Sequence, residues 1–153
     1  MSLATETEMS RPEIDDFLSN TETGVISLAR EDEPYSLPIS YGYDADSGTF
    51  YMRLVSTPDS QKREFLGSEP HVRLVVYDEN SDGTRYRSVV AAGILDEIEP
   101  TEMSVEEIEQ YGETRRPLFE IWGKDKEELD IQLYRFEPSE LTGRRTEIDR
   151  NEE

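Results

Sequence analysis

Gly24-Val25-Ile26-Ser27-Leu28-Ala29, Ser36-Leu37-Pro38-Ile39-Ser40-Tyr41-Gly42-Tyr43, Thr49-Phe50-Tyr51-Met52-Arg53, His71-Val72-Arg73-Leu74-Val75-Val76-Tyr77 and Tyr86-Arg87-Ser88-Val89-Val90-Ala91-Ala92-Gly93-Ile94-Leu95 follow one another along this chain. Each run is short and rich in β-branched and aromatic residues, and turn-forming residues separate them. That is the signature of successive β-strands. One basic segment, Ser60-Gln61-Lys62-Arg63, interrupts the series. In a very acidic chain, a lysine held between strands points to an anion, and a bound phosphate is the simplest one.

Working outward, Ser10 is placed to cap a helix, with Pro12 in its first turn and Glu13 completing a capping box. Ile14, Phe17 and Leu18 share one helical face, and the helix is expected to end near Asn20. Arg30-Glu31-Asp32-Glu33-Pro34 is a short polar turn, so the first two strands form an antiparallel hairpin. Ser56 to Gly67 reads as a short helix, with Pro58 near its start and Gly67 at its end. The His71–Tyr77 run is apolar at successive positions, which predicts burial on both faces. Ala91, Ala92 and Gly93 are small enough to admit another backbone or a ligand. Beyond Pro100, Ser104 and Glu107 suggest a second capping box, Arg116 to Gly123 a short helix, and Glu128 to Phe136 a last strand.

These readings predict a mainly β fold: six antiparallel strands with peripheral helices, closed into a small barrel so that no strand edge is exposed. A chain of 153 residues holds one such domain. The expected organisation is a disordered 1–9, a domain over 10–144 and a polar acidic tail over 145–153.

Asp and Glu number 36 against 16 Lys and Arg, a net charge of −20. The acids avoid the strands: 49–58, 70–77 and 83–95 contain none. The chain therefore reads as a folded domain with a carboxylate surface rather than a disordered acidic polymer. Lys62, Lys124 and Lys126 are its only lysines. Many carboxylates with little lysine predict adaptation to high salt, which screens the self-repulsion. Such a surface argues against nucleic acid and anionic membranes as partners. No apolar run could span a bilayer or serve as a leader, so a cytoplasmic location is expected.

The absence of cysteine excludes disulfides, thiolate metal sites and a thiol nucleophile. The single histidine, His71, opens a strand and reads as a strand-end residue, and no metal site is expected. Asp78 to Gly83 has the density of a calcium loop without its downstream glutamate. No nucleophile elbow, P-loop or dinucleotide fingerprint occurs. Phosphate recognition is the chemistry left standing. Lys62 lies near a predicted helix start, Arg53 ends the preceding strand, and Ser56 and Thr57 add hydroxyls.

In order and spacing, Gly24 to Ala29, Pro38 to Asp44, Phe50 to Arg53, Gln61-Lys62, Glu69 to Val72 and Tyr86 to Gly93 resemble the pyridoxamine-phosphate-oxidase-like flavoproteins, the FMN-binding split barrels. The likeness is to the smaller members, which include nitroimidazole-resistance proteins. It covers Ile14 to Ile98, with weaker agreement over Leu133 to Gly143. It implies a homodimer with FMN between subunits and a small-molecule electron donor or acceptor. By resemblance, Lys62 holds the FMN phosphate, with Gln61 where arginine is usual. Pro38, Ile39, Ser40 and Tyr41 line the flavin ring, and Met52 and Arg53 touch the ribityl-phosphate. Ser88, with Arg87, reaches the flavin from the other subunit. The C-terminal Trp and Arg motif of true pyridoxamine-phosphate oxidases is missing, and Trp122 reads as core, so that reaction is not expected. What remains is an FMN-dependent oxidoreductase. The alternatives are an F420-binding reductase of the same fold or a non-catalytic flavin-storage or ligand-sensing protein. Tyr41 and Tyr86 are the only proton donors the sequence offers, and no catalytic residue is assigned.

Overall fold

A computed structural model describes residues 4–56, 70–98 and 130–148. In chain order the elements are β1 (Ala4–Glu8), α1 (Arg11–Ser19), β2 (Thr23–Arg30), β3 (Glu33–Ser40), β4 (Gly42–Asp44), β5 (Thr49–Ser56), β6 (His71–Glu79), β7 (Arg85–Ile98), β8 (Asp130–Phe136) and β9 (Glu140–Ile148). The expected helices around 56–67, 104–111 and 116–123 lie outside the described residues, as does Trp122.

Every ladder is antiparallel, and the strands run in the order β3-β2-β6-β7-β8-β5-β4. The two ends of that path, β3 and β4, are consecutive in the chain with only Tyr41 between them. Chain continuity therefore joins the ends of the sheet, and the mainly antiparallel fold is that of a split barrel. The β2–β3 hairpin has the predicted register, with Arg30 opposite Glu33, and its turn places Glu31 at φ 58°.

β7 is the longest strand and belongs to both halves of the barrel. Along one edge it pairs with β6 from Tyr86 to Ile94. Along the other it pairs first with β9, over Arg85–Ala92, and then with β8, over Leu95–Ile98. Between the pairs Leu95–Phe136 and Ala92–Glu140, β7 moves by three residues and its partner by four. The extra residue is a bulge, which bends the partner strand from one half of the barrel to the other. Gly93 sits against the bend. A Cβ there would lie 3.1 Å from the Phe136 ring, 3.1 Å from the Ser139 nitrogen and 3.2 Å from the Pro138 Cα. Of the two uses foreseen for small residues here, Gly93 serves the approach of another backbone.

Three expectations are corrected. Residues 1–9 are not wholly without structure, because Ala4–Glu8 pair with β9 from Ile148 to Arg144. The supposed tail from 145 is not a tail up to Ile148, because Arg145 to Ile148 complete β9, which has β7 on one side and β1 on the other. Nine strand segments are described where six were expected. β4 is split from β3 at Tyr41, β1 lies in the segment expected to be disordered, and β9 was not foreseen as a strand, its residues 145–148 being expected as tail. The polar and charged composition of both segments, Thr and Glu in β1 and Glu, Thr and Arg in β9, hid the strands.

The helix follows its signals. The Ser10 hydroxyl accepts the Glu13 N–H at 3.3 Å, and Asn20 caps the last turn on the Asp16 and Phe17 carbonyls. Ile14, Phe17 and Leu18 are buried in the barrel core with Ile26, Phe50, Met52, Leu74, Val89, Tyr134 and Phe136. Each fully buried side chain of this size is worth about 1.5–3 kcal/mol. β6 differs from its reading. Val72, Leu74 and Val76 point inward, whereas His71, Arg73 and Tyr77 are exposed on the other face. Strand alternation prevails over the continuous apolar appearance of the run.

Candidate functional site

Residues paired across an antiparallel ladder share a face, and alternate residues along a strand share it too. On the outer face of the sheet, Pro38 of β3, Val25 of β2, Val75 of β6, Val90 of β7 and Thr142 of β9 form one row. The next row is Ser36, Ser27, Arg73, Ala92 and Glu140. Tyr77, Ser88 and Arg144 form a row on the other side. From β3 across to β7 this face carries two carboxylates, Glu79 and Asp96, each at a margin. The face also shows the largest apolar exposures among the described residues: Tyr77 at 72 %, Ile94 at 42 % and Tyr86 at 37 %. In a chain with 36 acids, a broad acid-poor and half-apolar face is an exception that needs a partner or a ligand.

An open groove of about 490 Å³ crosses this face, walled by Ser27, Ala29, His71, Arg73, Ala92, Gly93, Ser139 and Glu140. Its volume is in the range of small-molecule sites. Ser27 bonds the Ser36 hydroxyl at 2.8 Å. The Arg73 side chain is exposed and has no ion-pair or hydrogen-bond partner among the described residues. That sets it apart from Arg11, Arg87, Arg135, Arg144 and Arg145, which are paired with Asp15, Asp78, Glu137, Glu6 and Glu13. Arg73 escaped the sequence reading because β6 was taken as buried on both faces, and His71 was read as a strand-end residue. The usable signal was the polar residue at two alternate positions at its start, His71 and Arg73.

Of the residues singled out from the sequence, Pro38 and Ser88 lie on this outer face. Ile39, Tyr41 and Met52 turn into the core. Ser40 is buried. The Tyr41 phenol donates to the Leu18 carbonyl at 3.0 Å and shares a short hydrogen bond with the Thr21 hydroxyl. Burial pushes that phenol up to about 12, against the opposing effect of the Thr21 bond. Tyr41 therefore holds α1 to the barrel, and the outer face keeps Tyr86 as its phenol of interest. Tyr43 is likewise raised to about 12 by burial, reinforced by its 2.6 Å bond to Asp15.

Arg87 and Ser88 are neighbours on β7 and so face opposite ways. The Arg87 guanidinium makes a two-point ion pair with Asp78, at 3.1 and 2.7 Å, and lies 4.8 Å above the Phe17 ring. The ion pair raises its already high pKa against the cost of burial. Arg53 is held in β5 opposite Leu133. Gln61 and Lys62 lie outside the described residues. The Asp78–Gly83 segment closes a turn in which the Asn80 carboxamide oxygen accepts the Thr84 and Arg85 N–H groups, each at 2.9 Å. Among the described residues no cluster of His, Cys, Asp or Glu could hold a metal, and no helix is long and apolar enough to cross a membrane.

A flavin needs a flat apolar surface for its ring, main-chain partners for the ring's polar edge and a cation for its phosphate. The described residues suit it in character. The Val25-Val75-Val90 row is flat and half-exposed, β3 begins the sheet path with one edge outside any ladder there, and Arg73 is unpaired.

An antiparallel split barrel with such a face defines a class, and comparison assigns the chain within it. The family model described as pyridoxamine 5'-phosphate oxidase matches residues 10–145, and the chain belongs to that family. The fold recurs in solved structures. An FAD-binding protein from Mesorhizobium loti aligns with a TM-score of 0.67 and 16 % identity, over 94 % of this chain and 98 % of that one. The FAD-binding protein from Mycobacterium smegmatis gives 0.67 and 16 %, over 94 % and 100 %. A candidate 5-nitroimidazole antibiotic resistance protein from Bacteroides thetaiotaomicron gives 0.69 and 16 %, over 95 % and 90 %. The comparison with curated proteins gave no match.

Proposed function

We propose that this protein is an FMN-binding flavoprotein that acts as a homodimer, with the flavin bound where the outer faces of two copies meet, and that it is an oxidoreductase. The observation that carries the reading is the acid-poor outer face with its groove and unpaired Arg73, in a chain of this family. In this reading Lys62 holds the phosphate, assisted by Arg53 and Gln61. Pro38 offers its ring to the flavin from the outer face. Ile39, Ser40 and Tyr41 contribute main-chain groups at the sheet edge, since their side chains are buried. Met52 supports the site from the core side. Ser88 approaches from the second copy, while Arg87 orders β7 through Asp78. A bound flavin supplies the electron transfer, and the chain supplies position and charge.

The test is the chromophore. Protein purified in high salt should be yellow and release FMN on denaturation, identified by chromatography against FAD and F420 standards. A colourless protein that cannot be reconstituted with any of the three sinks the reading. Release of F420 would shift it to the deazaflavin reductases. Bleaching of the bound flavin by NADH or NADPH favours an enzyme over a storage protein.

A further inference from the structure

The outer face changes character on either side of its valine row. Toward Arg73 it offers a cation, hydroxyls and the groove, all of which the proposed flavin uses. Toward the other end of β6 it offers two phenol rings and a carboxylate. Tyr77 of β6 stands directly opposite Ser88 of β7, and Glu79 directly opposite Tyr86. Tyr77 and Tyr86 are therefore diagonal neighbours on one face, roughly 7–8 Å apart along the diagonal and close enough for their rings to share a ligand. All three side chains are exposed. The Glu79 carboxylate has no ion-pair or hydrogen-bond partner among the described residues.

We infer that this corner is the substrate subsite of the proposed flavoprotein, and that it takes a planar aromatic cation. The inference rests on the homodimer and flavin site proposed above. In that arrangement Ser88 approaches the flavin of the second copy. Tyr77, about 5 Å from Ser88 across the ladder, and Tyr86, about 7 Å from it along the strand, come with it. The phenol rings attract a cation to their faces, and Glu79 adds a full opposite charge beside Tyr86. An anionic ring would meet repulsion from that carboxylate. The chain has no cation to spare for Glu79 on this face. Its arginines there on β6, β7 and β9 are Arg73, which serves the flavin in this reading, and Arg144, bonded to Glu6 at 2.6 Å. A second copy of the same face therefore leaves Glu79 unanswered. A cationic ring answers the carboxylate and both phenols together, and it leaves the groove and the valine row to the flavin.

Calorimetric titration of the flavin-loaded protein at one fixed salt concentration tests it with three planar rings of one size. These are 1-methylquinolinium, a cation; quinoline, its neutral counterpart; and quinoline-6-carboxylate, an anion. The cation should bind about fivefold or more tighter than the neutral ring, and the anion weakest. Its binding should also shift the visible absorption of the flavin. Glu79→Gln should bring the cation and the neutral ring within about twofold of each other, and Tyr86→Ser should weaken both by about threefold or more. Asp32→Asn removes the same charge from the β2–β3 turn, beyond the His71 end of β6, and should leave the cation's affinity unchanged. A cation preference that survives Glu79→Gln overturns the subsite while the flavin site stands. So does an equal fall in Asp32→Asn, which would assign the preference to the overall charge of the chain, or binding that leaves the flavin spectrum unmoved. A protein that takes up no flavin overturns the subsite together with the reading it rests on.

Discussion

The two faces of β6 are built from one run of residues and have opposite characters. Inward, Val72, Leu74 and Val76 are at most 3 % exposed and meet Ile26, Val89 and Phe136 in one core. Outward, His71, Arg73 and Tyr77 stand free, and Tyr77 alone is 72 % exposed. The inner face is complete within one chain and the outer is not. Stability is therefore expected to depend on the first, and binding on the second.

The largest expected effect is on the inner face. Leu74→Ala empties a fully buried site and should destabilise the fold by about 2–5 kcal/mol, read by urea unfolding in high salt. A loss under about 1 kcal/mol would mean that the core is not packed as described. Tyr41 gives a comparable effect with pH. Its folded pKa of about 12 lies above the ordinary 10, so its neutral form is favoured on folding. The contribution is intact below pH 10 and is lost as pH rises from 10 to 12, by about 3 kcal/mol over that window. Tyr41→Phe should flatten that alkaline decline, and an unchanged slope would show that Tyr41 is not its source.

On the binding side the effects are smaller. Lys62→Ala should weaken FMN binding by about 1.5–3 kcal/mol, measured by fluorescence titration. An unchanged affinity would move the phosphate elsewhere. Tyr77→Ser should alter the unfolding free energy of the dilute, dissociated chain by no more than about 0.5 kcal/mol. It should still weaken self-association, seen as earlier dissociation on dilution. A variant that loses stability and keeps its association would reverse the contrast between the two faces.

Much of the barrel was legible because hydrophobic runs and turn chemistry agree locally. Ser10 and Glu13 mark the helix start, and Arg30 to Pro34 the hairpin. Gly93 marks a close approach, although the sequence could not say whether a backbone or a ligand arrives there. The missed parts have two causes. β1 and β9 are strands whose partners are distant in sequence and whose charged residues resemble tail or surface, and the outer side of β6 was hidden by the apolar look of its run. Pairing across 4 and 148 has no local signature. The site was less legible, for a related reason. Side-chain direction on a strand depends on register, and one step separates Ser88 on the outer face from Arg87 on Asp78. Ile39, Tyr41 and Met52 were grouped with the flavin by order along the chain. Their side chains belong to the core, so only their main chain is left to meet a ligand.

The pairing of β1 with β9 has a topological consequence. Ala4 stands directly opposite Ile148, so the two ends of the described chain are neighbours on one sheet edge. A few added residues would join them, and the ring could be reopened in the polar turn between β2 and β3. Such a circular permutant would keep the described inter-strand ladders and make the corner between Ala4 and Ile148 continuous.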